Sequence, residues 1–358
     1  MRGGERVLEA LCRMFPDADI FTHVVDPTRI SPTLRRHRII QTRIGRLPMA
    51  RRLYQKYLPL MPRALEEIDL TGYDLVISSE AGPAKGIIAP PDAPHLCYCH
   101  SPMRYLWDQY HVYRNDAGLV SRASLPLMAH GLRQWDVTSA ARVDAFAANS
   151  RHVAARINKY WRRDARVVHP PIALADFAPA PAGEIEDYYL WLGELAPYKR
   201  PDLAVEAFRL LDRPLVVIGG KEDVARRLSK NAGPRTTFLG KVSFKEVQHH
   251  LARCKALIFP GEEDFGMVPV EALASGRPVI GYGRGGLLDT VTDGETGILF
   301  RDQSVTGLME AVERFEASGL ANTDANHFRA AAEGFSETQF RAGITAELAQ
   351  LGVSASLS

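Results

Sequence analysis

The chain has 358 residues, of which 46% are hydrophobic and 24% charged, with a formal net charge of +2. At roughly 150 residues per domain, that length predicts two domains, each able to bury its own core. No stretch reaches the roughly 18 uninterrupted apolar residues of a spanning helix, and the start lacks the basic-then-apolar pattern of a secretory signal, so a cytoplasmic location is expected. Cys12 and Cys254 are isolated, while Cys97 and Cys99 alternate in a strand-like run, so all four read as reduced packing residues rather than metal ligands.

The small net charge hides an asymmetry. Residues 1–180 hold 25 Lys/Arg against 17 Asp/Glu, whereas 181–358 hold 19 against 25. No carboxylate occurs from Pro27 to Leu65, a stretch that carries Arg29, Arg35, Arg36, Arg38, Arg43, Arg46, Arg51, Arg52, Lys56 and Arg63. Such a block calls for an anionic partner. Apolar residues such as Ile44, Leu53, Tyr57 and Leu60 lie among the cations, and Pro48, Pro59 and Pro62 interrupt any long helix. Residues 29–63 are therefore expected to dock on an anionic membrane surface, and the acidic second half argues against nucleic acid.

In chain order, an apolar-periodic helix carrying Val7, Leu8, Leu11, Met14 and Phe15 starts just after Gly3-Gly4. Strands follow near Asp19–Val24, Asp74–Ser78, Leu96–Cys99, Ala145–Ala148 and Val167–Val168. A parallel sheet of this kind needs a strand before its first helix, and none is present, so Met1 is expected to fall inside a strand-to-helix loop. The Ala- and Pro-rich run Ala178–Gly183 reads as a linker. Beyond it come strand-then-helix units: Tyr188–Gly193 before a helix near Pro201–Leu211, Leu215–Gly220, Ala256–Pro260 before a helix from Met267, and Pro278–Gly281 before the loop Gly283–Gly286. Alternation of this type builds α/β domains with parallel sheets covered on both faces. The expected division is 1–178, 179–335 and a closing amphipathic helix over 336–358.

Two features carry chemistry. The stretch Glu263-Asp264-Phe265-Gly266-Met267-Val268-Pro269-Val270-Glu271 puts one carboxylate on a loop after a buried strand and another about one turn inside the next helix. Backbone N–H groups of the loop and helix start suit a phosphate or sugar oxygens, Gly266 permits close approach, and Glu271 is placed to accept ribose hydroxyls. In the first half, the strand ending at His100 delivers polar groups to the edge where parallel sheets bind ligands. Tyr105, Trp107 and Tyr110 just beyond it read equally as a sugar-stacking platform or as a core corner.

Taken together, Gly193–Asp202, Phe259-Pro260-Gly261, the Glu263–Glu271 stretch, Ala274–Val279, Gly285–Asp289 and Asp293–Gly297 resemble glycosyltransferase family 4 in order and spacing. The resemblance implies a GT-B fold: two Rossmann-like doubly wound domains facing across a cleft, with the first strand of the N-terminal domain missing here. It implies that Glu263 touches the donor sugar, Glu271 the nucleotide ribose, and Lys199, next to Arg200, the diphosphate leaving group. Asp264, Phe265, Gly266 and Met267 complete the donor loop. Gly3-Gly4 looks like the family's glycine-rich loop, and Glu194 stands where many relatives carry a second cation.

The string from His100 to Asp108 resembles bacterial polysaccharide mannosyltransferases, which gives His100 a place facing the donor sugar. Retaining, metal-independent transfer of a hexose is implied, with mannose from GDP-mannose as donor and a polyprenyl-diphosphate-linked saccharide as acceptor. Work at the inner face of the cytoplasmic membrane goes with that acceptor. A non-catalytic nucleotide-sugar-binding partner subunit and a nucleotide-sugar epimerase on the same fold are the alternatives.

Overall fold

A computed structural model describes residues 3–116 and 118–353. The chain divides into two compact units, one running to Pro171 and resuming at Phe340, the other spanning Ile172–Gln339. The first break thus falls before the Ala- and Pro-rich run read as a linker, which carries a short 3-10 turn at Ala182–Glu184.

In the first unit, α1 (Gly3–Met14) turns Val7, Ala10, Leu11 and Met14 inward at helical spacing. Gly3 and Gly4 therefore form the first turn of the helix, where a separate loop was expected. A parallel pair follows, β1 (Ile20–Thr22) with β2 (Ile39–Gln41). A four-stranded parallel sheet then forms in the order β3 (Val76–Glu80), β4 (His95–Cys99), β5 (Ala145–Ala148) and β6 (Arg166–Val167). Every residue of β4 is buried, as a strand covered on both faces requires. Among the described residues β1 and β3 do not pair, so β1-β2 and β3-β4-β5-β6 are separate sheets.

Helix α2 (Leu119–Ala140) contributes Asp136 to a buried ionic cluster beneath this sheet's crest. Lys85, fully buried, sits 3.4 Å from Glu80 Oε1 and in close contact with Asp136 Oδ1. The other Asp136 oxygen accepts from the indole N–H groups of Trp107 (2.8 Å) and Trp161 (2.7 Å). Burial pushes the Glu80 carboxyl up to about 7, against the pull of Lys85. The basic segment folds into short helical pieces (Arg43–Arg46, Ala50–Leu53, Tyr54–Leu60, Met61–Glu66) that bury Ile44, Met61 and Ala64 and leave the cations outside.

The second unit is a six-stranded, all-parallel sheet. Its strands are β7 (Tyr189–Leu192), β8 (Leu215–Ile218), β9 (Thr236–Gly240), β10 (Leu257–Phe259), β11 (Val279–Tyr282) and β12 (Gly297–Phe300), in the spatial order β12-β11-β10-β7-β8-β9. The chain builds outward from β7 on one side and from β10 on the other. Helices α3 (Pro201–Leu211) and α4 (Met267–Ala274) follow β7 and β10, and both bury apolar faces in one continuous core. The closing helix, α5 (Glu337–Gln350), belongs from Phe340 onward to the first unit, where Phe340 packs edge-on to Tyr98 at 5.5 Å.

Candidate active site

Ligands of open parallel sheets sit beyond the carboxyl ends of the strands, at the point where strand order reverses. In the second unit that point lies between the adjacent strands β7 and β10. The loops leaving these two strands clasp each other. Lys199, on the loop after β7, places Nζ 2.7 Å from Glu263 Oε1 on the loop after β10. Both side chains are largely buried, at 16% and 18% exposure. Burial works against the Lys199 ammonium, but the Glu263 carboxylate outweighs it and holds the lysine above its ordinary value. A fixed cation is thus kept charged at the crest.

Glycine makes the clasp possible. A Cβ on Gly261 would lie 2.6 Å from Lys199 Cα and 2.7 Å from the Tyr198 carbonyl oxygen, so only a residue without a side chain lets the two loops touch. Gly266, at φ +82°, turns the chain into α4 through a conformation that L side chains rarely adopt. The loop after β11 closes the third side, with the Gly286 N–H donating to the Glu263 carbonyl at 2.9 Å. Gln303 donates to the Pro260 carbonyl at 2.9 Å and steadies the same loop.

At the start of α4, the amides of Gly266, Met267 and Val268 precede the first bond of the helix, and Pro269 carries no N–H. They add a partial positive charge beside Lys199 and Glu263. Glu271 lies one turn further in, 7% exposed. Asp264 and Phe265 occupy the turn between Glu263 and Gly266, with Phe265 buried. Arg200 differs in its commitment: it caps α3 in a left-handed conformation, and its guanidinium holds the Asp202 carboxylate at 3.0–3.2 Å. Lys199 is the cation aimed at the crest, and Arg200 is tied to the helix start.

The first unit presents a smaller constellation at the carboxyl end of β4. His100 donates its backbone N–H to the Glu80 carbonyl at 2.7 Å, and its own carbonyl accepts from Asn149 Nδ2 at 2.9 Å. Its ring Nε2 lies 2.9 Å from Ser79 Oγ. Burial lowers the imidazole to about 4, which keeps the ring neutral at pH 7. A Cβ on Gly4 would sit 3.6 Å from His100 Nε2, so the first turn of α1 with Gly3 and Gly4 approaches this ring directly. Sequence reasoning passed over Ser79 and Asn149, although both stand at or just beyond strand ends on the crest. Trp107 belongs to a core corner, stacked on Tyr160 at 4.8 Å, and Tyr110 is buried beneath the Arg133 guanidinium at 4.6 Å.

Among the described residues, no group of three or more His, Cys, Asp or Glu is placed to hold a metal ion. Nor, among the described residues, is any helix long and apolar enough to cross a membrane.

The class that this fold and crest define is the GT-B glycosyltransferase fold. Solved structures agree: HepE of Anabaena in complex with UDP-glucose superposes with a TM-score of 0.72 at 18% identity, covering 98% of this chain and 96% of that one. Sucrose-phosphate synthase from Thermosynechococcus elongatus gives 0.72 at 21% identity, over 97% and 92%. Within that class, residues 1–176 match the family described as Glycosyltransferase Family 4, and residues 175–334 match Glycosyl transferases group 1. The chain is built of these two glycosyltransferase domains.

Curated relatives match a shorter stretch. An uncharacterized glycosyltransferase of Methanocaldococcus jannaschii is 33% identical over 130 residues, 35% of this chain and 37% of its own length. A D-inositol 3-phosphate glycosyltransferase of Mycobacterium marinum is 28% identical over 187 residues, 47% of this chain and 40% of its own length. The match thus spans about two fifths of these relatives.

Proposed function

We propose that the protein is a retaining, metal-independent glycosyltransferase that takes a hexose from a nucleoside diphosphate sugar. The observation that carries this reading is the clasp at the β7/β10 switch point, where Lys199 meets Glu263 just ahead of α4, the helix that carries Glu271. Lys199 and the α4 amides take the charge that grows on the departing diphosphate, which stabilises the transition state more than the ground state. Glu263 orients the sugar hydroxyls and, once a donor is bound, shares Lys199 with the diphosphate. Glu271 holds the ribose, with Asp264, Phe265, Gly266 and Met267 forming the loop against the nucleotide.

In this reading the acceptor hydroxyl oxygen bonds to the anomeric carbon on the face from which the diphosphate leaves. The carbon–oxygen bond to phosphate breaks, and the acceptor proton passes to the departing phosphate oxygen. Within the first unit, His100, neutral and hydrogen-bonded to Ser79, is the candidate for a sugar contact, and Gly3 and Gly4 are candidate backbone donors to a phosphate. Mannose from GDP-mannose and a polyprenyl-diphosphate-linked saccharide are the proposed substrates, on the resemblance of the His100–Asp108 string. HepE of Anabaena was solved with UDP-glucose, which makes the uracil donor the competing choice.

The lipid-linked acceptor goes with peripheral binding at the inner face of the cytoplasmic membrane through residues 29–63. All ten cations of that segment are exposed, and among the described residues carboxylate partners pair only with Arg38, Arg43 and Arg63. Met49 (63%), Leu60 (51%) and Tyr54 (36%) stand exposed among them. Basic residues near an anionic surface are worth about 1 kcal/mol each.

The test is a panel of nucleotide sugars assayed for released nucleoside diphosphate, with and without lipid-linked acceptor and with and without EDTA. Release from GDP-mannose that needs acceptor and survives EDTA is expected. Binding without release would favour a partner subunit, and an altered donor sugar without acceptor would favour an epimerase.

A further inference from the structure

The helix Arg151–Trp161 of the first unit starts directly after β5, with the Ser150 hydroxyl accepting from the Val153 N–H at 3.1 Å. Its inward face is Val153, Arg156, Ile157 and Trp161, spaced as a helical stripe. Arg156, only 7% exposed, thus takes a position where its neighbours on the stripe are apolar. A buried guanidinium is costly unless it is paired and hydrogen-bonded, so its partners show what the charge is kept for.

Three of its bonds reach one loop, the segment that leaves β4 after His100. Arg156 Nη1 donates to Ser101 Oγ at 2.8 Å, and Nη2 donates to the Pro102 carbonyl at 3.1 Å and to Asp108 Oδ1 at 2.5 Å. One planar fork therefore ties the two ends of Ser101–Asp108 together. Between those ends Met103 and Leu106 are sunk in an apolar cluster, and the Leu106 carbonyl accepts from Arg133 Nε at 2.6 Å.

The start of the same helix holds His100 itself. Asn149, next to the Ser150 cap, donates from Nδ2 to the His100 carbonyl at 2.9 Å. The His100 N–H is fixed by the Glu80 carbonyl, its carbonyl by Asn149, and its successor Ser101 by Arg156. With the backbone set in this way, the ring meets Ser79 Oγ at 2.9 Å and the edge of Tyr98 at 5.1 Å. We propose that Arg156 is a positioning residue: by closing the Ser101–Asp108 loop it sets the place of the His100 ring at the crest of the first unit. The use of that placement rests on the reading of His100 as a sugar contact. Lysine is no substitute, because a compact ammonium on a flexible stem lacks the rigid fork that meets both loop ends at once.

The test compares the parent with Arg156→Lys and Asp108→Ala, with Lys159→Ala, an exposed position on the same helix, as control. Nitrogen-15 NMR reads the His100 imidazole, identified by its absence from His100→Ala. In the parent, burial lowers this ring to about 4. A loosened loop admits water, so at about pH 5.5 the ring is expected to stay neutral in parent and control and to be largely protonated in Arg156→Lys and Asp108→Ala. Turnover of the donor is expected to fall about tenfold or more in both, in protein that circular dichroism shows to be folded, with donor affinity within twofold of the parent. An arginine with a structural role alone would lower the unfolding temperature and leave the ring neutral in both variants, and that result would overturn the proposal. Asp108→Ala decides the matter should Arg156→Lys fail to fold, because the Asp108 side chain is 32% exposed and its loss spares the other two bonds. A ring that becomes protonated while turnover stays within twofold of the parent would take the sugar contact from His100 and leave the positioning role in place.

Discussion

Gly261→Ala probes the clasp on which the proposed donor site rests. The added Cβ would meet Lys199 Cα at 2.6 Å and the Tyr198 carbonyl oxygen at 2.7 Å, both backbone atoms that cannot swing aside. Ordinary contact needs about 1 Å more, so the β7 and β10 loops must part by that distance and carry Lys199 away from Glu263. Overpacking of this kind costs about 1–3 kcal/mol of stability, and a 1 Å displacement of a positioned group costs about 100-fold in turnover. Gly294→Ala supplies the control. Gly294 lies at positive φ (+83°), where Gly261 does not, and nothing stands within 4 Å of its Cβ position, so it should lose about 1–2 kcal/mol from backbone strain and no donor binding. Thermal unfolding and nucleoside diphosphate release, measured on both variants, separate the two effects. Gly261→Ala turning over within twofold of the parent would refute the clasp as the source of site geometry.

Other consequences lie in the first unit. Lys85→Met leaves Glu80 and Asp136 buried without their cation and should cost about 3–5 kcal/mol in urea unfolding; a loss under 1 kcal/mol would show that the cluster is not an ion pair in solution. His95, fully buried with Nε2 2.9 Å from Ser78 Oγ, is lowered by burial from 6.5 to about 4. The unfolded chain takes up that proton first, so stability present above pH 6.5 falls as pH drops toward 4, by about 3 kcal/mol from this residue. His95→Gln should flatten that slope, and an unchanged slope would place the titration elsewhere. Replacing Arg35, Arg36, Arg51 and Arg52 by Ser should abolish sedimentation with anionic vesicles at 0.1 M salt, and retention of binding would remove the basic segment from the interface.

What the sequence disclosed follows from how local each signal is. The second-unit crest was legible because Gly261, Glu263, Gly266 and Glu271 fall within eleven residues, and each residue type answers a local backbone or charge demand. The pairing of Lys199 with Glu263 joins loops 64 positions apart, and only the strand order brings them together. The same distance hid the contact of Lys85 with Asp136, 51 positions away. Strand β9, Thr236–Gly240, went unread because its alternating half-exposed pattern lacks an apolar run, and β12 opens on Gly297 inside a stretch that reads as a turn. In the basic segment, β2 is only three residues long and its cations mask it.

The central claim is that the second unit holds a nucleoside diphosphate sugar at the β7/β10 switch point. Calorimetric titration of GDP-mannose and UDP-glucose into the parent chain and into Glu271→Ala addresses it most directly. Micromolar binding of one of the two donors to the parent is expected, with a loss of at least tenfold in the variant and the fold unchanged by circular dichroism. Equal affinity in both proteins, or no binding of either donor by the parent, would contradict it.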